Sequence, residues 1–222
     1  MKTIGVITGD IIKSSNLLMG QRDSLLTELK NLGKEISKKL DERFSLVIIR
    51  GDSFQVQINN PYLALKIAIL IRAGLRSKTM YKGKLREAWD ARIAIGIGTV
   101  DFIRKNINES DGEAFRYSGH LLESMKRSDE RISIKTPWDK INAELEVECK
   151  LADALISKWT YNQSEAIYLY WIGSKTQSEL AEQLDLSQTA LQKRINYYGK
   201  FNSIEFFNKR FQNLINTKNA DN

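Results

Sequence analysis

Two aspartates in this 222-residue chain each follow a glycine where an apolar run stops. Gly9-Asp10 comes after Ile4-Gly5-Val6-Ile7. Gly51-Asp52 lies between Phe44-Ser45-Leu46-Val47-Ile48-Ile49 and Phe54-Gln55-Val56-Gln57-Ile58. Either aspartate alone is an ordinary turn residue. Together, at matching strand ends, they form a carboxylate pair. Such a pair repels itself unless a cation sits between its members, and a hard, oxygen-liking ion such as Mg²⁺ or Mn²⁺ suits it. Mg²⁺ held by one or two carboxylates usually binds substrate phosphates as well. The flanking residues fit a phosphate ligand: Gly9 and Gly51 allow close backbone approach, and Ile11, Lys13 and Ser14 follow Asp10 with backbone amides, a cation and a hydroxyl.

The elements that must position this pair read clearly. Leu25, Leu29, Leu32, Ile36 and Leu40 recur at three and four residues and predict a long amphipathic helix after the first strand. Arg50-Gly51-Asp52-Ser53 has the composition of a hairpin turn between two strands. Asn60-Pro61 starts a second helix carrying Leu63, Leu65, Ile67, Ile69 and Leu70. Ala91 to Gly98 alternates as a fourth strand, Ala114 to Met125 fits a third helix, and Ile132-Ser133-Ile134 a last strand. The order β-α-β-β-α-β predicts an α+β fold of ferredoxin-like or palm type, with the first and third strands neighbours at the sheet centre. Pro137-Trp138 marks the expected boundary: residues 1–137 form the palm domain and residues 138–222 an all-helical one.

Composition narrows the setting. With 42% hydrophobic residues the chain has the apolar content of a folded domain, and no apolar run approaches a membrane span. The first residues are too soon charged for a signal peptide. One cysteine, Cys149, excludes an intrachain disulfide, and one histidine, His120, excludes a His-rich metal site. A cytoplasmic protein is expected. The net charge of +7 makes an anionic partner plausible but names none. Residues 1–140 hold 25 basic and 17 acidic residues, whereas 141–222 hold 9 and 10. Arg72, Arg76, Lys78, Lys82, Lys84, Arg86 and Arg92 make a basic run opposed only by Glu87 and Asp90, which reads as a solvated loop.

The segment Gln177 to Ile195 has a helix-turn-helix pattern, within a unit spanning about residues 163–199. Ala181 is small where two helices cross, Leu184 and Leu186 flank the turn, and Asp185 stands where glycine is usual. Ser187 is a ready N-cap for a second helix whose Leu191 and Ile195 return to the core. Ser187, Gln188, Thr189, Gln192, Lys193, Arg194 and Asn196 then supply the short hydrogen-bonding side chains and cations of a recognition helix. Lys193, Arg194, Lys200, Lys209 and Arg210 against Glu205 make its surroundings locally basic. Double-stranded DNA is the expected partner, and a homodimer the expected assembly.

Thr8-Gly9-Asp10-Ile11-Ile12-Lys13-Ser14-Ser15, Arg50-Gly51-Asp52-Ser53-Phe54-Gln55, Arg92 to Gly98 and Ser110-Asp111-Gly112-Glu113-Ala114-Phe115 resemble, in order and spacing, the signatures of the SatD family over about residues 1–135. That domain in turn is similar to class III nucleotidyl cyclases and, more distantly, to GGDEF-type cyclases and polymerase palms. The resemblance implies a metal-nucleotide or similar phosphate ligand held through Asp10 and Asp52. It also implies Arg116 as the candidate for a catalytic, phosphate-neutralising role. Two departures stand out: the cyclase Asn position aligns with Arg116 and the cyclase Arg position with His120. The helical segment resembles region four of sigma-type regulators. The reading that follows is a DNA-binding regulator with a ligand-binding palm; the alternative is a metal-dependent nucleotidyl cyclase or nucleotidyltransferase recruited by its helices.

Overall fold

The computed structural model describes residues 2–82, 85–102, 110–173 and 175–220. Strands β1 (Thr3–Ile11), β2 (Leu46–Arg50), β3 (Ser53–Ile58), β6 (Ala91–Thr99) and β7 (Ile132–Lys135) form one sheet in the order β2-β3-β1-β6-β7. All neighbours are antiparallel except β6 and β7. The first and third predicted strands are adjacent at the centre, as the β-α-β-β-α-β order requires, and the fold is α+β.

Two helices, α1 (Met19–Lys39) and α2 (Ala64–Arg76), cover one face. Leu25, Leu29, Leu32 and Ile36 of α1 join Ile7, Phe54, Val56, Ile93 and Ile95 in the main core. Helix α3 (Glu113–Met125) covers the other face, where Ala114 and Phe115 meet Ile4 and Val6, and Leu122 and Met125 meet Ala94. A Cβ on Gly96 would lie 2.1 Å from the Ala114 carbonyl oxygen, so this glycine sets how closely α3 lies on β6. Because α3 starts over Gly98 and ends over Ala94, its C-terminus lies at the Asp10–Arg92 end of the sheet.

Helix α2 is buried along its whole length, between the sheet on one side and α5 (Tyr161–Ile172) on the other. Helix α4 (Asp139–Ile156) packs on β7, and α6 (Gln177–Gln183), α7 (Gln188–Ile195) and α8 (Lys200–Ala220) complete the chain. Residues of α4 to α8 share the core of the sheet and α2. No helix among the described residues is long and apolar enough to cross a membrane.

The basic run is not the solvated loop its composition suggests. Residues Thr79–Lys82 and Leu85–Ala88 pair as a separate hairpin, β4–β5. Arg72 is fully buried and Arg76 nearly so. Arg72 donates from Nε to Asp90 at 2.9 Å, from Nη1 to Asp153 at 2.8 Å, and from Nη2 to Asp90 at 3.0 Å and Ser157 at 3.2 Å. Arg76 joins Asp90 at 2.9 Å and the Ser157 and Trp159 carbonyls. A helix otherwise apolar can bury arginines because every buried charge here meets an opposite charge or a hydrogen-bond partner. Lys78 lies 3.4 Å from Glu28, and Lys84 falls outside the described residues.

Candidate functional site: a carboxylate pair at the end of β1

Strand β1 runs longer than its apolar stretch predicts. Its ladder continues through Thr8, Gly9 and Asp10, paired with Gln55, Phe54 and Ser53 on one side and with Ala94, Ile93 and Arg92 on the other. Asp10 is therefore a strand residue rather than a turn residue. Side chains alternate across a sheet, which puts Thr8 and Asp10 on the α3 face with Ile4 and Val6. The Thr8 and Ser118 hydroxyls, 2.9 Å apart, fix that orientation, and Gln55 donates to Thr8 at 3.1 Å.

Asp52 sits in the β2–β3 turn, as predicted. Gly51 precedes it at φ 64°, a left-handed conformation that the tight turn needs and glycine adopts without strain. The Ile11 amide donates to the Asp52 carbonyl at 3.3 Å, so the two aspartates stand on touching backbone segments. Burial raises the Asp10 carboxyl above the ordinary aspartate range; the nearby Arg92 and Lys126 charges pull against that rise, and the Asp52 charge adds to it. The pair predicted from two Gly-Asp steps is thus brought to one corner of the sheet.

Its partners were only partly legible. Arg92 Nη1 donates to both oxygens of Asp10, at 3.2 and 3.0 Å. Arg92 belonged to the fourth-strand motif and to the basic run; the register Asp10↔Arg92 is what makes it a site residue. Its Nε is buried without a hydrogen-bond partner among the described residues. Ser14, a predicted phosphate contact, is buried, and its hydroxyl donates to Asp52 Oδ2. Lys13, at φ 59°, is exposed beside it. Two expectations fail in detail. The Ile11 amide is already engaged by Asp52, and Gly9 faces Phe54 rather than open space: a Cβ there would meet the ring at 2.4 Å.

Around the pair lies a rim of cations. A Cβ on Gly51 would come within 2.9 Å of Arg22 Nη2, and Arg50 precedes Gly51. Lys126 and Arg127 follow the C-terminus of α3, where Lys126 bonds Glu123 at 2.6 Å. Lys13, Arg22, Arg50 and Arg127 have no ion-pair partner among the described residues. No cluster of three or more His, Cys, Asp or Glu able to hold a metal occurs among them either. A divalent ion at Asp10 and Asp52 would take its remaining ligands from phosphate oxygens and water, which is how Mg²⁺ commonly binds, so the donor set fits.

Arg116 is not part of this corner. It binds Asp101 at 3.0 Å and Asp111 at 3.2 Å, near the first turn of α3. Strand β6 runs from Ala91 to Thr99 and α3 starts over Gly98, so Arg116 lies toward the opposite end of the sheet from Asp10, which pairs with Arg92. The cause is the direction of α3, whose end rather than its start faces the carboxylates. Cys149 is buried, and that burial pushes its thiol far up, away from nucleophile chemistry.

At the C-terminal helices, Thr176 and Glu179 form a capping box on α6, and Asp185 adopts φ 53°, the left-handed turn position expected of it. Ser187 accepts from the Ala190 amide at 3.2 Å and caps α7. Leu191 and Ile195 are buried; Gln188, Thr189, Gln192 and Lys193 are exposed, and Arg194 and Asn196 partly so. Asn196 also accepts from the Asn202 amide at 3.2 Å, tying α7 to α8. The local basic surplus shrinks on folding. Arg210 is held by Glu144 at 2.6 and 3.1 Å, Lys209 lies 3.9 Å from Glu205, and Lys200 sits 5.5 Å over the Tyr197 ring. Lys193 and Arg194 are the cations left unpaired there among the described residues.

No protein-family profile matches the chain, and no curated protein matches it. Solved structures similar to it include the active GGEEF domain of a diguanylate cyclase from Vibrio cholerae, at 15% identity and a TM-score of 0.44 over 62% of this chain and 85% of that one. A GGDEF domain from Pseudomonas aeruginosa gives 17% identity and 0.42 over 61% and 82%. The guanylyl cyclase domain of a rhodopsin-type fusion protein, RhoGC, from Blastocladiella emersonii gives 17% and 0.43 over 55% and 74%.

Proposed function

We propose that this chain binds a nucleoside triphosphate or similar polyphosphate together with Mg²⁺ or Mn²⁺ at Asp10 and Asp52, and uses the site for nucleotidyl transfer of the cyclase type. One observation carries the proposal: two carboxylates on touching backbones have the unpaired cation Arg22 beside the Gly51 turn, with Lys13 and Arg50 adjoining them along the chain. Carboxylates alone suit a metal and cations alone suit an anion; the two together suit a metal–phosphate complex. The SatD-like order of motifs supports the same reading.

In this reading Asp10 and Asp52 hold the ion, which supplies charge neutralisation at the transferring phosphate and a more acidic attacking hydroxyl. Ser14 keeps Asp52 oriented through its hydroxyl. Arg22, Arg50 and Lys13 meet the phosphate tail, and the polar row of Thr8, Gln55 and Ser118 lies beside it on the α3 face. Arg116 takes no part within one protomer. A homodimer is the proposed assembly. Incubation of the full chain with ATP or GTP and Mn²⁺, with separation of products, tests the reaction, and calorimetry tests binding. Binding and turnover are expected in the wild type and lost in Asp52→Asn. Unchanged nucleotide and metal binding in both Asp10→Ala and Asp52→Ala would remove the site.

A second reading concerns α6 and α7. Asp185 in the left-handed turn, the Ser187 cap and the exposed row of Gln188, Thr189, Gln192 and Lys193 support double-stranded DNA binding by a helix-turn-helix. It makes the chain a regulator whose palm senses the nucleotide. Gln188→Ala and Lys193→Ala are expected to weaken DNA binding at fixed salt; DNA affinity indifferent to both would end this reading.

A further inference from the structure

We infer that Arg92 is a resident counter-ion of the carboxylate pair, which gives way to a divalent cation and then binds the ligand's phosphate. The inference deepens the proposed metal–polyphosphate site and rests on it.

Two facing carboxylates cannot both stay charged in a half-buried corner without a cation. Arg92 supplies that cation in the present structure, with one nitrogen shared between the two oxygens of Asp10. The contact is incomplete. Arg72, fully buried against Asp90 and Asp153, uses Nε, Nη1 and Nη2. Arg92 uses Nη1, and its buried Nε has no acceptor among the described residues. A buried donor left unpaired is unfavourable, so this conformation of Arg92 is held by charge and leaves a donor over for another acceptor.

Charge balance then sets the direction of the exchange. Asp10, Asp52 and Arg92 together carry one negative charge; with a divalent cation added, the corner becomes positive. The Asp10 oxygens are then occupied and the guanidinium is repelled by the ion. The next anion within reach is the phosphate that the ion itself carries, and a guanidinium fork suits phosphate oxygens in pairs. Arg92 thus halves the charge of the empty pair and opposes occupation by a bare ion, while favouring an ion that arrives with a phosphate.

Mn²⁺ titration of the full-length protein, read by the electron paramagnetic resonance of free Mn²⁺ with and without inorganic tripolyphosphate, tests this. Arg92→Gln is expected to bind Mn²⁺ alone about tenfold more tightly than wild type, and Mn²⁺-loaded tripolyphosphate about tenfold more weakly. Arg92→Lys keeps the charge with a single-point contact and is expected between the two, which also covers a poorly folded Gln variant. If Mn²⁺ affinity is equal in wild type and both variants while Asp52→Asn weakens it, Arg92 is no counter-ion and the metal site stands without it. If the variants gain Mn²⁺ affinity but keep tripolyphosphate affinity, the phosphate role fails and the inference with it. If no Mn²⁺ binding depends on Asp52, the proposed site itself falls.

Discussion

Two arginine–aspartate clusters in this chain differ in how completely their polar atoms are matched. At Asp90, Oδ1 accepts from Arg72 and from the Ala91 amide, and Oδ2 from Arg72, Arg76 and Arg131, all between 2.9 and 3.1 Å. Asp153 takes Arg72 on one oxygen and the Arg131 amide on the other. At Asp10, a single nitrogen of Arg92 serves both oxygens while Asp52 adds a like charge. The titrations follow. Burial works to raise Asp90, but the charge and hydrogen bonds of Arg72, with Arg76, hold it down at about 2. At Asp10 burial and Asp52 prevail over Arg92 and leave the carboxyl raised. Every oxygen of Asp90 and Asp153 is engaged, although Arg76 Nε is buried there without an acceptor among the described residues; the carboxylate at the sheet corner, served by one nitrogen, is where a ligand has something to add.

The largest test of that contrast is Arg72→Ala. It strands Asp90 and Asp153 in the interior, and a loss of about 3–5 kcal/mol in urea unfolding is expected. A loss below about 1 kcal/mol would place the network among surface ion pairs instead.

Acid should separate the clusters by sign. Asp90 has a folded value of about 2 against the ordinary aspartate value of 3.8, so its contribution is present above the unfolded value and fades as pH falls toward 2. That amounts to about 2 kcal/mol, visible as a falling Tm between pH 5 and 2 that Asp90→Asn lacks. Asp10, being raised, contributes in the opposite sense: its share is present at low pH and lost as pH rises through its folded value.

Smaller in stability but decisive for the site is Asp52→Asn. The Asn side-chain oxygen still accepts from Ser14, so less than about 1 kcal/mol is lost, while the Asp10 carboxyl moves down once the neighbouring charge is gone. Carbon-detected titration of Asp10 reads this; an unmoved Asp10 would mean that the two carboxylates do not face each other. Smallest of all, Lys193→Ala on α7 should leave stability within about 0.5 kcal/mol and, in the DNA-binding reading, reduce the salt slope of DNA affinity by about one.

Much of the fold was legible because strands and helices write their periods into apolar positions. The order of the sheet follows from those periods together with the right-handed crossover rule, and the two Gly-Asp steps at strand ends then point Asp10 and Asp52 to one corner. What stayed hidden depends on partners far along the chain. Arg72 and Arg76 read as surface because Asp153, 81 residues away from Arg72, cannot be seen from their neighbourhood. Their spacing of four on an apolar helix was the available signal, since both then sit on one face that burial must reach. Asp10 read as a turn residue because hydropathy stops at Ile7, whereas hydrogen bonds to β3 and β6 carry the strand on to Ile11. Arg116 was assigned by likeness of position, and only the direction of α3 tells which end of the sheet it serves. The polar row of Thr8, Gln55 and Ser118 was readable in part, as Ser53, Gln55 and Gln57 alternate with Phe54, Val56 and Ile58.

The Arg72 network also bears on how such a chain is assembled from parts. Its acceptors come from both sides of Pro137: Asp90 precedes β6, whereas Asp153 and Ser157 belong to α4 and its end. A sheet unit transplanted onto a foreign helical partner would carry two buried guanidiniums with part of their acceptors missing. The helices transplanted alone would carry Asp153 into an interior with no cation. Any recombination that cuts near Pro137 therefore has to move Arg72 and Asp153 together.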